Sequence, residues 1–304
     1  MIKKVLTPEQ KETINSFFLS QQDAFANFHT YQDVVDQLKV FLSEKNLSDI
    51  ILFDENEKNK HLVLDDNSNN NSVKVRVFGN VFEFKPKTVK EYVETKYSDE
   101  TKTKVIQLGY KKETIKSVDY YVLDRLDKNT KEVPIHLPIK INSLKESFKE
   151  FENDKVNNLD KWDTRNITSL KNTFESAKNF NQDISMWNTS NVRNMTATFF
   201  EAEKFNQPLD KWDVSNVKTM DGLFTEAYEF NQNISSWNTG NVESMNGMFS
   251  DTKAFNQNLS KWDVKKVGNY QNFASGLKST MTRDKLPKFN GARQDDNFIY
   301  GFSK

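Results

Sequence analysis

The residues that could carry acid–base or metal chemistry are few and far apart. The three histidines, His29, His61 and His136, all lie in the first half of the chain. A metal site or a nucleophile–base pair would need them gathered from irregular segments. Asp160 and Asp163 have the separation of a carboxylate pair, but the same pair returns as Asp210 and Asp213. Recurrence favours solvated surface over an acid–base dyad. With nine glycines there is no phosphate-binding glycine loop. The lack of cysteine excludes disulfides and thiolate metal ligands. Balanced charge, 43 basic against 43 acidic residues, gives no global field to recruit nucleic acid or an anionic membrane. No apolar run reaches transmembrane length. The residues therefore point to a protein that is not an enzyme and uses no cofactor.

What the chain has in place of a catalytic constellation is a period. All five tryptophans, Trp162, Trp187, Trp212, Trp237 and Trp262, are 25 residues apart. The pairs Phe180-Asn181, Phe205-Asn206, Phe230-Asn231 and Phe255-Asn256 repeat at the same interval, each followed by glutamine. Self-similarity at this period is the signature of stacked repeats, in which each unit buries its apolar face only against its neighbours. The tryptophans, the phenylalanines and the asparagines form the expected structural core. The asparagines read as an amide ladder that satisfies backbone groups left open by tight turns.

Within one repeat Val192, Met195, Phe199 and Ala202 are spaced three, four and three, which predicts an α-helix capped by Ser190 or Asn191. The stretch from Ile184 to Trp187 is too short for more than a brief strand or turn. The resulting fold class is α/β: a C-terminal solenoid, leucine-rich-repeat-like, of 25-residue strand-turn-helix coils, preceded by a small α+β N-terminal region. Helices 8–10 Å apart stacked beside strands about 4.8 Å apart predict a curved array with a concave binding face.

A ligand should touch positions that vary while the template is held. Lys161, Met186, Lys211, Ser236 and Lys261, each one residue before a tryptophan, are the candidate ligand-binding row. Carboxylate and amide also alternate along the repeats, Asp163, Asn188, Asp213, Asn238 and Asp263, which keeps like charges two coils apart.

The first half obeys other rules. Thr7-Pro8-Glu9-Gln10 is a helix start with a capping box, and a second helix is expected from Thr30 through Leu42. Alternation at Val73, Val75 and Val77, then Gly79-Asn80, predicts a hairpin. Further strands are expected at 104–110 and 115–123. The expected organisation is a helical segment over 1–60, a small α+β region over 61–133, a repeat solenoid over 134–277, and a cap or tail over 278–304.

The unit Trp-Asp/Asn-Thr/Val-Ser-Asn-Val-x-x-Met-x-x-x-Phe-x-x-Ala-x-x-Phe-Asn-Gln-x-Ile/Leu, written from Trp187 to Leu209 and again from Trp212 to Ile234, resembles the repeat of BspA-like surface proteins, abundant as lipoprotein-associated repeats in mycoplasmas. The resemblance covers about residues 139 to 275. It implies a non-catalytic cell-surface protein of adhesion or host interaction, with a host-derived protein or glycan as ligand. Family members are usually exported, whereas Met1 to Pro8 carries no apolar stretch and no lipobox cysteine. An intracellular protein-interaction scaffold is thus the alternative reading, with a cytoplasmic location. An enzymatic or toxin-like activity in residues 1–130 is a third. Open coil ends also allow self-association.

Overall fold

The computed structural model describes residues 5–25, 29–43, 45–65, 69–88, 91–277 and 281–290. By compactness the chain divides into Met1–Glu91 with Pro138–Lys140, and Tyr92–Leu137 with Ile141–Lys304. The expected boundaries at 60 and 133 are therefore corrected. Residues up to 91 form one body, and 92–137 belong with the repeats.

In the first unit, α1 (Pro8–Gln21) begins as its sequence requires, since the Gln10 N–H donates to Thr7 Oγ1 and the Thr7 N–H donates to Gln10 Oε1. The second helix, α2 (Tyr31–Ser43), starts where Asp33 accepts from both the N–H and the hydroxyl of Thr30. Three antiparallel strands, β1 (Ile50–Leu52), β2 (Val73–Val77) and β3 (Asn80–Phe84), pair in the order β1-β2-β3. Alternation does the sorting. Ile50, Leu52, Val73, Val75 and Val77 face a core shared with Ile14, Phe18, Val34 and Leu38, while Ile51 and Val81 stay exposed. The hairpin turns at Phe78-Gly79, one residue earlier than expected. Both have positive φ, 46° and 79°, the mirror-image turn that matches strand twist.

The second unit opens with β4 (Tyr92–Val93), β5 (Lys96–Tyr97), β6 (Val105–Gln107), β7 (Tyr110–Ile115) and β8 (Val118–Leu123), in sheets ordered β4-β7-β8 and β5-β6. From β8 a line of parallel bridges runs Val122, Ser143, Ser169, Asn194, Thr219, Ser244, Asn269. The first repeat step is 26 residues and each later one is 25.

The helix expected over Val192–Ala202 does not form. Among the described residues of 134–277 the only helical element is a short 3-10 turn at Leu159–Lys161. The apolar positions are buried as their spacing demands, with Val192, Met195, Phe199 and Ala202 at most 1% exposed. The backbone that buries them is a kinked ribbon. Ala197 and Glu201 have φ of 50° and 54°, and equivalent positive values fall at Gly222 and Glu226, Gly247 and Asp251, and Asn272 and Gly276. One left-handed residue every four interrupts any right-handed helix.

Alternate N–H groups then point along the stack. Met195, Ala197, Phe199 and Glu201 donate to the carbonyls of Thr219, Asp221, Leu223 and Thr225 at 2.8–3.0 Å. The groups between, such as Thr198 N–H to Met195 and Ala202 N–H to Phe199, close local turns. These backbone donors find acceptors without a helix. The predicted curvature loses its cause as well, because the aromatic columns all repeat at similar spacings. Phe174, Phe199, Phe224 and Phe249 follow at 5.6–5.7 Å, and Phe180, Phe205, Phe230 and Phe255 at 5.9–6.2 Å.

Of the expected cap, residues 278–280 and 291–304 lie outside the described residues. The part between them lays Phe289 on Tyr270, ring centroids 4.5 Å apart.

Candidate binding surface on the repeats

Each template position has a structural task. Trp162, Trp187, Trp212, Trp237 and Trp262 are 3–5% exposed. Their Nε1–H groups donate to backbone carbonyls one coil back, those of Pro134, Leu159, Ile184, Leu209 and Ile234, at 2.9–3.2 Å. No indole N–H among them is left for a ligand. Phe180, Phe205 and Phe230 are fully buried and Phe255 nearly so.

Asn181, Asn206, Asn231 and Asn256 are half-buried and form a ladder. Asn181 Oδ1 accepts from the Asn206 N–H at 3.0 Å and from Gln207 Nε2 at 2.9 Å. Asn206 and Asn231 repeat both bonds to the next coil. At the last rung the Lys285 ammonium donates to Asn256 Oδ1 at 2.7 Å. An amide oxygen that already accepts two bonds is structural.

The alternating acid and amide after each tryptophan do the same job. Oδ1 of Asp163, Asn188, Asp213, Asn238 and Asp263 accepts the N–H two residues on, an Asx turn for which either residue type suffices. Asp163 also binds the Arg165 guanidinium. A second set of such turns is built by Asp183, Asn233 and Asn258 on Ser185, Ser235 and Ser260. At the equivalent position Pro208 fixes the turn through its ring instead. The backbone and hydroxyl bonds from Ser185 hold the Asp183 carboxyl below its ordinary value. Elsewhere on the repeats, the hydrogen bond from Tyr228 to Glu226 raises the phenol to about 12.

The row ahead of the tryptophans is the part left open. Lys161, Met186, Lys211, Ser236 and Lys261 are all exposed, Met186 at 73%. They sit at turn corners, with Lys161 ending the 3-10 turn, so of the brief strand or turn expected for this stretch the turn is what forms. The structure brings neighbours in the row together, since Lys211 Nζ lies 3.9 Å from Met186 Sδ. Lys161 contacts Asn158 Oδ1 at 3.2 Å and lines a shallow groove of about 430 Å³ with Glu132, Lys155, Asp160 and Gln182. A second groove, about 670 Å³, is lined by Glu152, Asn153, Asp154, Lys155, Asn179, Asn181, Lys204 and Gln207. Neither groove carries an aromatic ring. Among the described residues of the repeats, Met186 is the one exposed large apolar side chain.

Sequence reasoning missed the kinked ribbon. A signal was present: glycine or asparagine at 172, 222, 247 and 272, in the middle of a supposed helix, marks positions that tolerate positive φ. Among the described residues, no group of three or more acidic or histidine side chains could hold a metal ion, and no helix is long and apolar enough to cross a membrane.

The in-register bridges, the columns of rings and the amide ladder define this half of the chain as a stack of 25-residue repeats. Residues 142–236 and 210–290 match the family described as Mycoplasma protein of unknown function, DUF285, so the repeat half is related to a mycoplasma repeat family. No curated protein and no solved structure matches the chain.

Proposed function

We propose that the chain is a non-catalytic binding protein whose repeats form a solenoid of the leucine-rich-repeat-like, BspA-like class and present a polar surface to a protein or glycan outside the cell. The observation that carries this reading is the division of labour within the repeat. The constant residues are consumed by packing and by hydrogen bonds between coils, whereas the row Lys161, Met186, Lys211, Ser236 and Lys261 is exposed and changes from coil to coil. A face with one large apolar side chain suits a wet, polar contact better than a dry hydrophobic one. The mostly polar grooves beside Lys155 and Lys161 fit a hydroxyl-rich or charged ligand.

The test is a triple charge reversal, Lys161→Glu, Lys211→Glu and Lys261→Glu, against panels of glycans and extracellular proteins. The reading expects loss of at least one interaction with an unchanged melting temperature, because exposed lysines contribute little to stability. An identical binding profile removes the row from the binding surface. Protease treatment of intact cells tests location, and digestion of this chain ahead of a cytoplasmic control is the expected result.

A further inference from the structure

The backbone bonding between coils has a direction, and its last step is unfilled among the described residues. Met220, Gly222, Phe224 and Glu226 donate N–H groups to Ser244, Asn246, Met248 and Ser250, and Met245, Gly247, Phe249 and Asp251 donate to Asn269, Gln271, Phe273 and Ser275. The next members of the series are Tyr270, Asn272, Ala274 and Gly276. Their N–H groups find no acceptor among the described residues. Asn272 and Gly276 are exposed, with φ of 55° and 71°, so the ribbon keeps its kinked form to the end. Ala274 is fully buried, so the exposed Asn272 and Gly276 are the N–H groups that a partner can reach.

The rest of this coil is capped. The Leu259 N–H donates to the Lys285 carbonyl, and Asn290 Nδ2 donates to the Lys265 carbonyl just as Asn241 Nδ2 does to that of Ser215. Phe289 covers Tyr270 and Phe273. Residues 281–290 thus stand in for the turn corners of a further coil and leave Asn272 and Gly276 of the ribbon exposed.

Charge supplies the second observation. Lys265, Arg283 and Lys288 follow this edge in the chain and residues 252–290 contain only Asp263 and Asp284 as acids, while Lys253 and Lys266 turn back onto Tyr228 and Asn241 and the Asp251 carboxylate lies against Gly276. The neighbouring ribbons are acidic, with Glu201, Asp221, Glu226 and Asp251.

We propose that the 270–276 edge docks an extended acidic peptide segment of a partner protein, which adds to the stack as a parallel strand and supplies carbonyls to Tyr270, Asn272 and Gly276. Backbone bonds provide the attachment and the basic frame selects the charge, the usual logic of strand addition. A segment able to adopt positive φ at the kink positions follows the ribbon best, and the Val217–Glu229 stretch of this chain does so at Gly222 and Glu226.

The experiment measures amide hydrogen exchange of the full chain with and without a synthetic peptide of the Val217–Glu229 sequence. The expected result is fast exchange at Asn272 and Gly276 in the free chain and at least about tenfold slowing with peptide, weakened by salt and by the paired changes Lys265→Glu and Lys288→Glu. A peptide with lysine in place of its acids should bind about tenfold more weakly. Slow exchange in the free chain at every concentration would overturn the proposal by showing that the chain covers its own edge. Protection that grows with concentration would overturn it in favour of a second copy. Equal binding of the acidic and basic peptides, or no change in exchange, would also contradict it.

Discussion

Single side chains in the repeats carry more than one bond each, so their loss is felt by two coils. Trp212 packs against Trp187 with rings 6.5 Å apart and nearly parallel, touches Phe199, and donates to Ile184. Trp212→Ala should cost about 3–5 kcal/mol, read as a large fall in melting temperature, because a buried ring is replaced by a cavity. Glycine positions separate backbone cost from steric cost. At Gly222, φ 60°, an added Cβ meets neighbours only at 3.5 Å, and Ala197 already occupies the equivalent position, so Gly222→Ala should cost about 1 kcal/mol. At Gly276 the same Cβ would run into the Asp251 carboxylate, so Gly276→Ala should destabilise more, in the same denaturation series. Glu113 provides a pH test. Burial alone would raise its pKa, but hydrogen bonds from Lys111 and Lys145 outweigh burial and hold it below the ordinary 4.5. Its stabilising contribution is complete above 4.5 and is lost as pH falls through the lower folded value. Glu113→Gln should therefore shallow the loss of stability below about pH 4.5, while a parallel acid-denaturation curve would show that the two lysines do not act on it.

At the scale of elements, legibility followed how local the deciding forces were. The start of α1 was readable because a capping box is settled within four residues, and β2 was readable because one face of it is buried. The repeat helix was misread because the three-four-three spacing of Val192, Met195, Phe199 and Ala202 records which residues are buried and not which backbone buries them. A ribbon with a left-handed residue every four presents the same side chains inward. What decides between them is where the N–H groups of Met195 and Phe199 go, and their acceptors lie in another repeat. Gly222, Gly247, Asn172 and Asn272 were the available clue. The candidate row was legible as a variable position and left between strand and turn, since its turn is set by Asx bonds from Asp183, Asn233 and Asn258. The same logic predicts a contrast between hydroxyls. Thr198 Oγ1 donates to Leu170 in the preceding coil, whereas buried Ser147 has no hydrogen-bond partner for its hydroxyl. Thr198→Val should cost about 1–2 kcal/mol and Ser147→Ala close to nothing, measured by chemical denaturation.

For the repeat half as a whole, stability is a sum of similar interfaces between neighbouring coils, which frees the exposed corners to vary without endangering the fold. That separation is what allows an exposed, variable row and a stack of buried rings to share 25 residues. It depends on the coils being joined by the backbone of a kinked ribbon. The most direct measurement is of scalar couplings across hydrogen bonds in solution by NMR. Couplings from the amide nitrogens of Met195, Ala197, Phe199 and Glu201 to the carbonyl carbons of Thr219, Asp221, Leu223 and Thr225 are the expected result. Couplings from the amides of Val192–Ala202 to carbonyls four residues earlier would mean a helix in each repeat and would contradict the account.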